Sequence, residues 1–263
     1  MKKFWRQLAL RFGYYVAPTV ANEQVLQLIR SLRPQECGKP LIRVGAANDG
    51  GYLVPDDLTD IEYCFSPGVN DVAEFETALA KRNTRSFMAD YSVNGPPQLL
   101  PQFVFDKKFV GSDDNETHMT LASWKQRYLP SYQRDLILQM DIEGSEYEVI
   151  LSTPTELLRN FRIIVLELHQ LDALFDPFAH SIMKACFDKL LATFYVVHSH
   201  PNNCAGSIRR GDILIPQVME ITFYNRARAA PGAYVQQFPH PLDADCCSGM
   251  PPLPLPSIWY RAG

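Results

Sequence analysis

The sequence lacks what would carry it across a membrane or around a nucleic acid. Its longest apolar stretches, such as Ile163 to Leu166, fall far short of the ~20 residues a spanning helix needs. Basic residues are not in excess: 25 Lys and Arg face 29 Asp and Glu, a net charge of −4. That balance argues against nucleic acid as a partner. The six cysteines (Cys37, Cys64, Cys186, Cys204, Cys246 and Cys247) contain no CxxC pair, which argues against a zinc knuckle. Arg6 and Arg11 interrupt the apolar core that a secretory signal requires. The cysteines therefore read as reduced cytosolic thiols, mostly filling the core, and the protein as cytoplasmic. Cys246 and Cys247 are the exception, because they fall in a Pro-rich stretch and are expected to be exposed. No internal repeat, GxGxxG or HExxH is found.

What is present is enough apolar residue, 46% of 263, to bury one large core without a metal staple. Composition divides the chain into a helical segment (1–40), a main domain (41–228) and a Pro-rich tail (229–263) that wraps the domain or hangs free. Within residues 1–20, Phe4, Trp5, Leu8, Phe12 and Tyr15 recur at helical spacing among Lys2, Lys3, Arg6 and Arg11. Such a face either packs on the body of the protein or lies on an anionic membrane surface as a peripheral contact. Ala21 to Leu32 reads as a second helix, and residues 41–58 as a polar, glycine-bearing lead-in.

Strands and helices then alternate. Strands are expected at 61–66, 86–90, 108–111, 135–140, 162–168, 194–197 and 218–224. Helices are expected at 72–82, 121–128, 145–151 and 177–192, and Pro96, Pro97 and Pro101 mark a loop. Near-continuous apolar strands separated by helices indicate an α/β fold. The sheet is mostly parallel, covered on both faces and about seven-stranded, and the last two strands form an antiparallel pair at one edge.

In such sheets ligands bind beyond the carboxyl ends of the strands. The first strand runs into Phe65-Ser66-Pro67-Gly68, where a glycine lets backbone approach a ligand closely. The second ends at Asp90, 22 positions past Gly68, the place from which a carboxylate accepts from two vicinal ribose hydroxyls. The fourth ends in Asp141-Ile142-Glu143-Gly144-Ser145-Glu146. Glu146 is explained as an acid opening a helix. Asp141 at the lip of the core is not. The fifth ends Glu167-Leu168-His169, with Glu167 and His169 on one face by alternation, and the sixth runs into His198-Ser199-His200-Pro201-Asn202-Asn203. His118, His180 and His240 have no such setting.

Asp141-Ile142-Glu143-Gly144-Ser145-Glu146-Tyr147 resembles the signature of FkbM-type methyltransferases, which use S-adenosylmethionine. Arg43-Val44-Gly45 with Asp49-Gly50-Gly51-Tyr52, the Phe65–Gly68 turn with Phe75-Glu76, Glu167-Leu168-His169 and His198–Asn203 are similar to a branch of that family with an Asp-Gly-Gly-Tyr lead-in. The resemblance implies a Rossmann-like, seven-stranded methyltransferase fold whose last strand is antiparallel. It implies O-methylation of a hydroxyl on a sugar, glycan or secondary metabolite, the acceptor being the small-molecule or glycan partner. Carried over, Phe65, Ser66 and Gly68 pass under the methionine part of the cofactor, Asp90 holds the ribose with Tyr91 also binding the cofactor, Ser112 and Asp113 approach adenine, and Asp141 faces the methyl group. Tyr52, His200 and Asn203 bind the acceptor.

A hydroxyl acceptor must lose its proton as the new bond forms, and His169 or His198 suits that role, with Asp141 and Glu143 orienting the acceptor. Asp141, His169 and His198 equally offer mixed oxygen and nitrogen ligands for Mg, Mn or Zn. The rival readings are an NAD-binding oxidoreductase on the same fold, a metal-dependent hydrolase, and a non-catalytic binding domain.

Overall fold

The computed structural model of the chain describes residues 2–261. Met1 and the last two positions of the tail lie outside the described residues. Helices α1 (Lys2–Arg11) and α2 (Asn22–Ser31) precede a hairpin, β1 (Leu41–Gly45) and β2 (Gly51–Pro55). The middle of the chain is β3 (Tyr63–Pro67), α3 (Glu74–Ala80), β4 (Arg85–Ala89), β5 (Phe103–Asp106), β6 (Phe109–Gly111), β7 (His118–Thr120) and α4 (Leu121–Tyr128). It continues through β8 (Leu136–Met140), α5 (Glu146–Ser152), α6 (Thr155–Leu158), β9 (Phe161–Leu168) and α7 (Pro177–Leu191). The last strands are β10 (Phe194–Pro201), β11 (Ser207–Arg210), β12 (Ile213–Pro216) and β13 (Met219–Asn225).

Seven strands form the main sheet in the order β10-β13-β9-β8-β3-β4-β5. Pairings β9–β8, β8–β3, β3–β4 and β4–β5 are parallel, whereas β13 runs antiparallel to both neighbours. The expected antiparallel end is therefore present, with β13 inserted between β9 and β10. Strand β9 shows why the sheet is covered on both faces. Ile164 and Leu166 join the core with Phe65, Trp124 and Phe187, while Ile163 and Val165 join the opposite core with Phe75, Leu79 and Tyr52. Period-two alternation sends successive apolar residues to opposite layers, so the strand reads as continuously apolar.

Two expectations are corrected. Residues 41–58, read as a polar, glycine-bearing lead-in, hold a hairpin with no strand expected there: β1 and β2 pair in register from Leu41↔Pro55 to Gly45↔Gly51. The edge strand of the sheet is β5 at 103–106, not 108–111, and β6 instead pairs with β7 in a separate two-stranded sheet. β5 is only half-buried, so it carries a weak apolar signal and reads as part of the proline-marked loop.

The tail wraps rather than hangs free. Glu36 N–H donates to the Ala233 carbonyl at 2.9 Å, Val235 N–H to Pro34 at 2.9 Å, and the fully buried Trp259 indole N–H to Leu214 at 3.2 Å. The reading of all six cysteines as reduced is also overturned. Cys204 and Cys247 form a disulfide, Cα to Cα 5.5 Å, across 43 positions. Closing a loop of that size removes about 4 kcal/mol of unfolded-chain entropy. The disulfide withdraws the support that reduced thiols gave to a cytoplasmic location. Cys246 is buried, not exposed. In the first segment, Phe4, Trp5, Phe12 and Tyr15 are all more than half exposed, so this aromatic face is not packed into the protein's own core. No helix among the described residues is long and apolar enough to cross a membrane.

Candidate active site

From β3 the chain winds to β4 and β5 on one side, and from β8 to β9 on the other. The order thus reverses between β3 and β8, the place where open α/β sheets form a crevice. A cavity of about 460 Å³ lies there, beyond the carboxyl ends of β3, β4 and β8. Gly68 makes the turn out of β3. Its amide donates to the Ala89 carbonyl at 2.9 Å, and the amide of Asp141 donates back to Pro67 at 3.3 Å. Gly68 has φ +87°, and a Cβ there would fall on the Asp141 carbonyl oxygen. Only glycine allows three strand ends to converge this closely.

Asp90 stands at the end of β4, nearly buried. One carboxylate oxygen accepts from Asn70 N–H at 2.9 Å. The other accepts from Ser92 N–H at 2.7 Å and Ser92 Oγ at 2.6 Å. These bonds hold the carboxylate at the cavity edge. The hairpin supplies the opposite wall. Arg43 donates to the Ala46 carbonyl at 2.5 Å and the Asn48 carbonyl at 2.8 Å, which shapes the loop that brings Asp49 and Gly50 to the cavity.

The floor is a buried polar chain. Ser66 Oγ bonds both Glu76 Oε1 and Gln139 Oε1, and Gln139 Nε2 donates to the Tyr52 hydroxyl at 3.3 Å. Burial raises the Glu76 carboxyl to about 7, against an opposing hydrogen bond from Ser66. Burial, joined by surrounding carboxylates, also pushes the Tyr52 phenol well up. Tyr52, an expected acceptor contact, therefore belongs to this floor.

At the edge beyond β8, Glu143 has φ +59° and Gly144 φ +112°, a tight turn that leaves Glu143 mostly exposed. Glu146 closes the turn, its Oε1 accepting from Ile142 N–H at 2.9 Å and Gly144 N–H at 3.2 Å. The same oxygen lies 3.2 Å from His169 Nδ1. His169 Nε2 then faces Asp141 Oδ1 at 3.8 Å and Glu143 Oε2 at 3.5 Å. Burial raises the Asp141 carboxyl far above the usual range, helped by Glu167. His169 is raised too: burial opposes this, but Glu146 and the other carboxylates outweigh it.

Several expected site residues stand elsewhere. Phe65 is fully buried, its ring 5.0 Å from Trp124, so it is core rather than cofactor wall. Ser66 is fully buried within the floor's hydrogen-bond chain and does not itself line the cavity. Tyr91 is 40% exposed and packs on Phe109 at 5.4 Å outside the cavity. Ser112 and Asp113 sit in an exposed loop beyond β6, and Phe109 and Val110 line the cavity in their place. His198 does not join Asp141 and His169. Its Nε2 lies 2.8 Å from Asp243 Oδ1, without hydrogen-bond alignment. His200 lies 3.7 Å from the other Asp243 oxygen, and His240, set aside on sequence, is 6.0 Å from His198. Asn203 exchanges two 2.9 Å bonds with the Cys247 backbone. His198, His200 and Asn203 therefore grip the tail. Sequence order could not show this, because their partners are some forty positions downstream.

Residues 23–190 match the family model described as the Methyltransferase FkbM domain. The chain belongs to that family. No curated protein matches it. Membership makes the protein an FkbM methyltransferase by family, and the matched span contains the Gly68 turn, Asp90, Asp141 and His169. Two residues of the candidate site stand out less in the sequence than in the structure. Glu167 was placed beside His169 by alternation but given no role. Glu76 was noted only as part of a motif, since nothing local shows that an acid on α3 is turned inward.

Proposed function

We propose that the chain is an S-adenosylmethionine-dependent O-methyltransferase of Rossmann-like arrangement, acting on a hydroxyl of a sugar, glycan or secondary metabolite. One observation carries the cofactor assignment. The cavity is lined by Asp49, Asp71, Glu74 and Glu76, and by Asp90, Asp141 and Glu143, with no lysine, arginine or histidine among the described lining residues. Even with Glu76 and Asp141 holding protons, the remaining carboxylates and the lack of any cation among the lining residues repel the phosphates of a nicotinamide dinucleotide and favour a phosphate-free nucleoside bearing positive charge. S-adenosylmethionine fits, with a sulfonium, an ammonium and a ribose for Asp90. It supplies a methyl group on positively charged sulfur.

The protein's own contribution is placement. The Gly68 turn and the hairpin wall fix the cofactor's position, and Asp141 and Glu143 border the edge from which an acceptor oxygen must approach in line. Alignment of that kind is the main source of acceleration in such displacements. The acceptor hydroxyl loses its proton beside the Asp141–Glu143–His169 cluster.

Asp90→Ala tests the ribose contact. S-adenosylhomocysteine binding is expected to weaken about 10- to 100-fold, the range for losing a charged hydrogen-bond acceptor. The wild-type protein is expected to prefer this ligand over its 2′,3′-dideoxy form, and the variant to show no preference. An undiminished preference in Asp90→Ala would assign Asp90 to loop structure alone.

A further inference from the structure

We propose that Asp141, Glu167 and His169 form a divalent-cation site at the edge of the cavity, two carboxylates giving oxygen and the imidazole giving nitrogen. One ligand atom from each of the three lies within 4.8 Å of the others, a spacing that a shared ion at about 2.0–2.4 Å from each can close. Glu167 takes the place that sequence order suggested for His198, which is held on Asp243 instead.

Each side chain is aimed by a neighbour outside the trio. Asn202 Nδ2 donates to Glu167 Oε1 at 2.8 Å. That leaves Oε2 without a partner on a residue only 4% exposed. Glu146 faces His169 Nδ1, and with the Nδ1 proton pointed at that carboxylate the Nε2 lone pair is directed toward Asp141. A carboxylate behind a histidine in this way is the recurring outer support of metal-bound imidazoles. Asp141 Oδ1 is likewise without a hydrogen-bond partner. Asp141 bonds to β3 through its backbone N–H, so its side chain is free to turn to an ion.

The charge balance points the same way. Glu143, Glu146 and Asp49 add further carboxylates around Asp141 and Glu167, and His169, when protonated, is the cation that offsets them. Buried carboxylates without counter-charge are costly, and a divalent cation removes that cost directly. An ion here would stand beside the acceptor edge and lower the pKa of a hydroxyl placed against it. Glu143, outside the trio and open to solvent, is positioned to take the released proton. The use of the site in methyl transfer rests on the function proposed above, whereas its existence does not.

The test is titration of the chelator-stripped full chain with MnCl2, following the electron paramagnetic resonance of free Mn(II), with S-adenosylhomocysteine binding measured on the same sample. The expected result is one site tighter than about 100 μM, with a nitrogen coupling from directly bound imidazole. That coupling should disappear in His169→Gln, and affinity should fall at least about 10-fold in Glu167→Gln. No bound Mn(II) at about 1 mM in the wild-type protein overturns the site, as does unchanged binding in both variants. If a variant fails to fold, the wild-type titration and its nitrogen coupling decide alone. Mn(II) without S-adenosylhomocysteine binding keeps the site and removes the methyltransferase reading. The reverse result does the opposite.

Discussion

Replacing Gly68 with alanine is expected to lower the melting temperature by about 6–12 °C and to weaken S-adenosylhomocysteine binding about 100-fold. Two costs combine. The left-handed backbone at φ +87° disfavours any side chain by roughly 1–2 kcal/mol. The added Cβ also falls on the Asp141 carbonyl, so the turn out of β3 must move away from the end of β8. Three strand ends meet at that point through backbone hydrogen bonds, and interiors of this density do not absorb a methyl without strain of about 1–3 kcal/mol. Displacing the turn reshapes the cavity, which is why affinity falls along with stability. A melting temperature within about 2 °C of wild type, with affinity unchanged, would show that the strand ends are not packed as described.

Glu76→Gln is expected to separate stability from binding. In the native state burial holds the Glu76 carboxyl at about 7, whereas the unfolded chain ionises it near the ordinary value of about 4.3. Between those values the native state keeps a proton that the unfolded state has released. This carboxyl therefore makes stability fall as pH rises through that window and then level off above 7. The full difference is roughly 3–4 kcal/mol. Glutamine carries no such titration and can still bond Ser66. The variant should be more stable than wild type at pH 8 without ligand, and the two should converge near pH 4. Its S-adenosylmethionine affinity should drop at pH 8, where the wild-type carboxylate meets a cationic ligand. Charge buried for function at the expense of stability is a recurrent pattern in binding sites. Urea melts at pH 4, 6 and 8 read the first effect. A variant less stable than wild type at pH 8 would contradict it.

Much of this site was legible in the sequence because βα turns write their chemistry locally. Gly68, Asp90 and Asp141 each follow an apolar run directly, and strand tips in a parallel sheet converge. The alternation of Glu167 and His169 along β9 placed them together for the same reason. What stayed hidden depended on distance along the chain. His198 and His200 share a strand face as expected, but Asp243, which draws them away from Asp141, arrives from the tail. The Cys204–Cys247 disulfide is hidden in the same way, since its halves read as unrelated thiols. Edge strand β5, half-buried and short, has too little apolar contrast to stand out from the loop around it. Glu76 needed the packing of α3 on the hairpin to show that its carboxyl points inward.

The account depends on a phosphate-excluding nucleoside cavity between β3 and β8. Calorimetric titration of the purified chain with S-adenosylhomocysteine and, separately, with NAD tests it most directly. The expected result is S-adenosylhomocysteine binding at about 10 μM or tighter and no NAD binding at about 1 mM. NAD binding as tight as S-adenosylhomocysteine, or no binding of the latter at about 1 mM, would contradict it.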